Sequence, residues 1–153
     1  MTKEEIMALY KAWILPESKD PFHFEKQENC QHTILAYNPL CGDKFELYLR
    51  GEHPYPLDTV GFHGIGCAVS TASTSLMLRH LQSKTLQEAL IETAAVLAAL
   101  APDADIQHLP EKIKVLASTK HFGGRVDCIR LSWQALYDYL LQIDSRGQEQ
   151  IEQ

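Results

Sequence analysis

The chain has 153 residues, 45% of them hydrophobic, with four cysteines and a formal charge of −6. That size suits one globular domain with a core that needs no disulfide staples, and an acidic balance without a basic stripe excludes nucleic acid as a partner. No apolar run approaches the roughly 20 residues that span a bilayer, and Met1-Thr2-Lys3-Glu4-Glu5 is too acidic to begin a signal peptide. The expectation is a cytoplasmic protein with no membrane partner, whose cysteines are reduced, catalytic or metal-bound.

Thr2 with Glu5 three residues on makes a capping box, and Ile6, Leu9, Tyr10, Trp13 and Ile14 recur at helical spacing until Pro16 stops the run. From Pro16 to Asn29 two prolines and many charges without a period predict a loop over the surface. His32 to Tyr37 and Lys44 to Arg50 read as strands, the second alternating Phe45, Leu47 and Leu49 against Lys44, Glu46 and Tyr48; Asp58 to His63 forms a third. Ala68 to Gln82, free of Gly and Pro, predicts a helix starting at or just after Cys67, with Ser70 to Ser75 lining a tightly packed face rather than acting in catalysis. A second helix runs from Thr85, capped by Glu88, to Leu100, its core stripe being Leu90, Ile91, Ala94, Leu97 and Ala98. An acidic loop (101–110), a short helix (111–117) and a last amphipathic helix (125–143) follow, with Gly123-Gly124 freeing the chain before the last. Early strands and late helices predict an α+β domain: a small antiparallel three-stranded sheet covered on one face by helices, in a single domain over 1–144 with a polar, flexible tail over 145–153.

In that layout Cys41 lies in a strand–strand turn, Cys67 at a strand–helix junction and Cys128 at the start of the last helix, positions that converge at one edge of a sheet. Thiolates select zinc, iron–sulfur clusters or soft metals, and Gly42, Gly64 and Gly66 let the backbone bend beside the ligands. Cys41 and Asp43 are two apart, so one turn can direct both at an ion that Cys67 and Cys128 would complete. Spacings of 26 and 61 residues between the three cysteines do not match the short knuckles of zinc ribbons. Inert, buried cysteine packing is the alternative. A helix N-terminus should depress the pKa of Cys67. Arg125 either acts on Cys128 in the same sense or is simply a solvated residue before a helix. His63 and His121 are the histidines nearest the cysteines and are further possible ligands, whereas Cys30, in a polar stretch with no glycine turn, is the odd one out.

Asn38-Pro39-Leu40-Cys41-Gly42-Asp43, Gly64-Ile65-Gly66-Cys67-Ala68-Val69-Ser70-Thr71-Ala72-Ser73 and Arg125-Val126-Asp127-Cys128-Ile129-Arg130-Leu131-Ser132-Trp133 resemble the three cysteine motifs of the SufU/IscU/NifU N-terminal family of iron–sulfur cluster assembly proteins. IscU-type scaffolds have a shorter segment before the third cysteine and a histidine directly preceding it. Here the segment is long and Asp127 stands in that place, both features similar to the SufU branch. That resemblance implies zinc held by Cys41, Asp43, Cys67 and Cys128, and a sulfurtransferase role in which Cys41 receives a persulfide from a SufS-type cysteine desulfurase for downstream iron–sulfur assembly proteins. Arg125 matches a basic position associated with partner contact. The alternative is a non-enzymatic scaffold that builds an iron–sulfur cluster on the same ligands. Leu9 to Pro16 departs from the family's usual stretch after the first helix, Leu40 stands where a small polar residue is common, and Cys30 has no family counterpart.

Overall fold

A computed structural model describes residues 2–52, 54–122 and 125–152; the expected release of the chain at Gly123-Gly124 lies outside the described residues. Alternation of side chains builds the sheet. Strands β1 (His32–Tyr37), β2 (Lys44–Arg50) and β3 (Thr59–Ile65) pair antiparallel in the order β1-β2-β3. The register aligns Tyr37 with Lys44 and Lys44 with Ile65 at the end nearest the Cys41 turn. Ile34, Ala36, Phe45, Leu47, Leu49, Val60 and Phe62 all point into the core, as a period of two requires.

Helices α3 (Ala68–Leu81) and α6 (Val126–Glu152) pack on that inner face, and α4 (Leu86–Ala99) and α5 (Glu111–Ser118) pack in turn against these helices. The molecule is therefore α+β, with one sheet face covered by helices. The outer face is open at the turn end, where Leu35, Tyr37 and Ile65 are exposed, while at the other end Tyr48 is buried. A Cβ on Gly61 would lie 3.0 Å from the His23 carbonyl, so residues near His23 and Gln27 close over this part of the sheet.

Several elements depart from the sequence pattern. Pro16 does not end the first helix. It lacks an N–H and its ring crowds the preceding turn, so α1 (Lys3–Leu9) widens into a π-helical turn over Tyr10–Ile14 and resumes as α2 (Leu15–Lys19). The Leu15 N–H reaches back to the Tyr10 carbonyl, the five-residue step of a π-turn. Nor is the following segment only a surface loop: Glu17 is buried against Arg79, and the Phe22 N–H donates to Ser75 Oγ at 2.7 Å.

Strand β3 runs to Ile65, two residues beyond the expected end. On α4 the capping box of Thr85 and Glu88 is present, but the core face is Ala89, Thr93, Val96 and Ala99. Ile91, read as core from sequence, is 61% exposed; with apolar residues on almost every side of this helix, periodicity alone does not select the inward face. Helix α6 continues past Ile143 to Glu152, through a stretch that holds no proline. After α4 the chain is tied down by Lys120, whose ammonium donates to the carbonyls of Ala99, Ala101 and Ala104.

Candidate metal and sulfur site

The β1–β2 connection is a tight loop. The Asn38 N–H donates to the Asp43 carbonyl (2.9 Å), the Gly42 N–H to the Asn38 carbonyl (2.8 Å) and the Leu40 N–H to Asn38 Oδ1 (3.0 Å). Gly42 has φ +79°, a left-handed conformation that glycine adopts without a Cβ penalty. The loop thus turns Leu40 and Cys41 outward and Asp43 inward: Leu40 is 96% exposed and Asp43 6%.

Cys67 is the N-cap of α3. Its backbone N–H donates to Asp43 Oδ1 at 3.2 Å, and its Sγ accepts the Ser70 N–H at 3.4 Å. The same thiol lies 3.4 Å from Ser70 Oγ, to which it donates. Cys128 is the third residue of α6 and is buried, its N–H bonded to the Arg125 carbonyl.

The ligand atoms of Cys41, Asp43 and Cys128 lie within 4.8 Å of one another. Cys67 stands just outside this trio, linked to it by the Asp43 hydrogen bond and near enough to Cys128 to help raise its pKa. A cleft of about 470 Å³ opens beside Cys41 and Cys128, walled also by Asn38, Leu40 and Arg125. Arg125 is thus brought to the site, exposed at its mouth. Neither histidine is: His63 lies on the outer sheet face against the Phe24 ring, and His121 lines a separate cleft with Ile6 and Ser118. Cys30 is also elsewhere, donating to Gln27 Oε1 at 3.3 Å.

Burial pushes the Cys128 thiol up to about 12, helped by the neighbouring Cys67 thiol and the Asp43 carboxylate and opposed by the Arg125 guanidinium. Burial and the nearby Cys67 also raise the Tyr10 hydroxyl. Ser70 is a neighbour of the Cys67 thiol, a role signalled by its place three residues after the N-cap.

The donors suit a thiophilic ion. Asp43 Oδ2 is a buried oxygen without a hydrogen-bond partner. A buried acceptor left bare is destabilising by about 1–3 kcal/mol, and a cation among the adjacent thiols would satisfy it. Three thiols and one carboxylate form a donor set that zinc accepts in tetrahedral sites.

The sequence profile of the NifU-like N terminal domain matches residues 9–135. The chain belongs to the family of NifU-like N-terminal domains. This family member is 28% identical over 138 residues to the iron-sulfur cluster assembly scaffold protein IscU of Streptococcus pyogenes serotype M1, covering 89% of this chain and 85% of that protein. It is 26% identical to the zinc-dependent sulfurtransferase SufU of Bacillus subtilis (strain 168), over 84% of this chain and 86% of that one. In structure, a protein described as a candidate iron–sulfur cluster assembly scaffold for the SUF system of Fervidobacterium islandicum AW-1 superposes with a TM-score of 0.72 at 32% identity, covering 88% of this chain and 96% of that one. The NifU-like domain described here is thus of the IscU/SufU type. No helix among its described residues is long and apolar enough to cross a membrane.

Proposed function

We propose that this NifU-like domain is a zinc-dependent sulfur-transfer protein of cytoplasmic iron–sulfur cluster assembly, accepting persulfide sulfur on Cys41 from a cysteine desulfurase. The observation that carries the reading is the unequal setting of the donors. Cys128 and Asp43 are buried while Cys41, within 4.8 Å of both, is exposed on the loop tip. Cys41, Asp43, Cys67 and Cys128 would hold the zinc, which when bound keeps its thiolate ligands deprotonated near neutral pH.

In the transfer, the Cys41 thiolate attacks the outer sulfur of the donor's persulfide. A new S–S bond forms on Cys41, the donor's S–S bond breaks, and the donor cysteine leaves as a thiolate that takes a proton from solvent. The sulfane sulfur moves without net oxidation. Exposed Leu40 and the open cleft leave room for a partner's persulfide-bearing loop, and the Arg125 guanidinium at the mouth favours an anionic sulfur. Cys41 would then pass its sulfur to downstream assembly proteins.

The wild-type domain should contain one zinc per chain and stimulate desulfurase turnover, whereas Cys41→Ala should not. Unaltered stimulation by that variant overturns the proposal. The relative named IscU favours a second reading on the same residues, a scaffold for an iron–sulfur cluster. Anaerobic reconstitution separates the two, since a stable visible chromophore that transfers to an apo-acceptor selects the scaffold.

A further inference from the structure

Helix α3 carries an unusual load of hydroxyls for a helix interior, at Ser70, Thr71, Ser73, Thr74 and Ser75. Serine and threonine are poorer helix formers than alanine, so small size alone does not account for them. Ser70, Ser73, Thr74 and Ser75 are buried, and the bonds made by Ser73 and Thr74 cross to α6. Ser73 Oγ donates to the carbonyl of Ile129, the residue directly after Cys128, at 2.7 Å. The same oxygen accepts from Trp133 Nε1 at 3.0 Å, so one hydroxyl clasps a full turn of α6. Thr74 Oγ1 lies 2.6 Å from Ser132 Oγ, four residues beyond Cys128, and donates back to the Ser70 carbonyl at 2.8 Å. Ser70 in turn touches the Cys67 thiol.

Two buried cross-links therefore tie the first two turns of α3, which Cys67 caps, to the first turns of α6, which bear Cys128: Ser73 to Ile129 and Trp133, and Thr74 to Ser132. We propose that Ser73 and Thr74, with Ser132 and Trp133, are positioning residues that lock the register of α3 on α6 and so hold the Cys67 thiol against Cys128 as the fourth metal ligand. Cys67 is the donor that most needs such help, because it stands just outside the trio formed by Cys41, Asp43 and Cys128. The loop sets Asp43 and Cys41 by its own backbone bonds, whereas the relation of Cys67 to Cys128 depends on how two separate helices meet. An apolar contact permits sliding; directional hydrogen bonds in a dry interface fix one register. The inference rests on the metal reading above but not on sulfur transfer.

The test uses the full chain loaded with cobalt as a spectroscopic stand-in and with zinc under chelator competition, in native buffer at 25 °C. Thr74→Val keeps the shape and removes the hydroxyl; it should weaken zinc binding on the order of 10-fold or more, the usual effect of losing a residue that supports a ligand. It should also lose one thiolate's share of the sulfur-to-cobalt charge-transfer absorption, and Thr74→Ser should restore both. Thr93→Val is the control. It deletes a buried hydroxyl of the same kind from α4, where the bonds go to the Ala89 and Leu90 carbonyls of its own helix, and it should leave affinity and spectrum unchanged. Should Thr74→Val fail to fold, Ser73→Ala combined with Trp133→Phe cuts the other cross-link without leaving an unpaired indole N–H. Equal effects from the α3 and α4 substitutions, or a wild-type spectrum in the α3 variants, overturn the inference alone. A wild-type chain that takes up no metal overturns it together with the metal reading.

Discussion

The two halves of the site are built by opposite means. One is a loop tip, Asn38 to Asp43, held by short backbone hydrogen bonds and open to solvent, with Leu40 and Cys41 exposed. The other is the dry interface of α3 and α6, where the serine and threonine cross-links and Trp133 tie together the helix starts that carry Cys67 and Cys128. The contrast teaches that stability and reactivity are placed in different elements. The helix pair buries Cys128 and fixes the helix start that carries Cys67, whereas the hairpin leaves Cys41 exposed, which on the proposed reading is the thiol a partner reaches.

The largest effect that could break this contrast is thermodynamic. Trp133 is 1% exposed and packs in the core, so Trp133→Ala should destabilise the protein by about 3–5 kcal/mol. Leu40→Ala, at the solvated tip, should shift stability by no more than about 0.5 kcal/mol. Denaturant unfolding of the metal-free protein measures both, and comparable losses would remove the distinction.

A smaller effect has opposite signs for stability and binding. Asp43 joins the two halves, accepting the Cys67 N–H on Oδ1 while Oδ2 is buried without a partner. Asp43→Asn retains the shape, removes the buried charge and supplies donors of its own. Metal-free protein should become more stable by about 1 kcal/mol or stay neutral, while zinc affinity falls. A variant weakened in both respects would show that the carboxylate is a structural acceptor rather than a group kept for a cation.

Much of the fold was legible because simple periods decide it. The alternation of Phe45, Leu47 and Leu49 placed β2 correctly, and Thr85 with Glu88 marked the start of α4. What was not legible depends on neighbours far away in sequence. Pro16 was read as a stop because proline usually is one; only a π-turn, fitted against the rest of the molecule, lets the helix resume. Ile91 looked like core because α4 is apolar around most of its circumference, and packing, not pattern, chose Ala89, Thr93 and Val96. At the site, the turn and junction positions of Cys41, Cys67 and Cys128 could be read from glycines and element boundaries. The place of Cys67 outside the compact trio and the use of Ser73 and Thr74 as cross-links could not. Each depends on side chains separated by 24 to 60 residues meeting in space.

The subtlest test of the contrast is the pH dependence of the buried half. Cys128 in the folded, metal-free chain is raised to about 12 from an ordinary 9.0. Below about pH 9 both folded and unfolded chains keep this proton, and the group has no effect on the slope. Between about 9 and 12 the unfolded chain releases it and the folded one does not. The unfolded state then binds fewer protons, and stability falls as pH rises. Cys128→Ser should therefore flatten part of the alkaline loss of stability in metal-free protein, as read from denaturation midpoints on either side of about pH 9. The same protonation fixes a consequence for loading: at neutral pH the Cys128 thiol must give up its proton to become a ligand. Calorimetric titration with zinc in buffers of different ionisation enthalpy should count about one proton more for wild type than for Cys128→Ser. Equal proton release would show that the buried thiol stays out of the metal's shell, leaving the exposed loop and Asp43 to bind without their anchor.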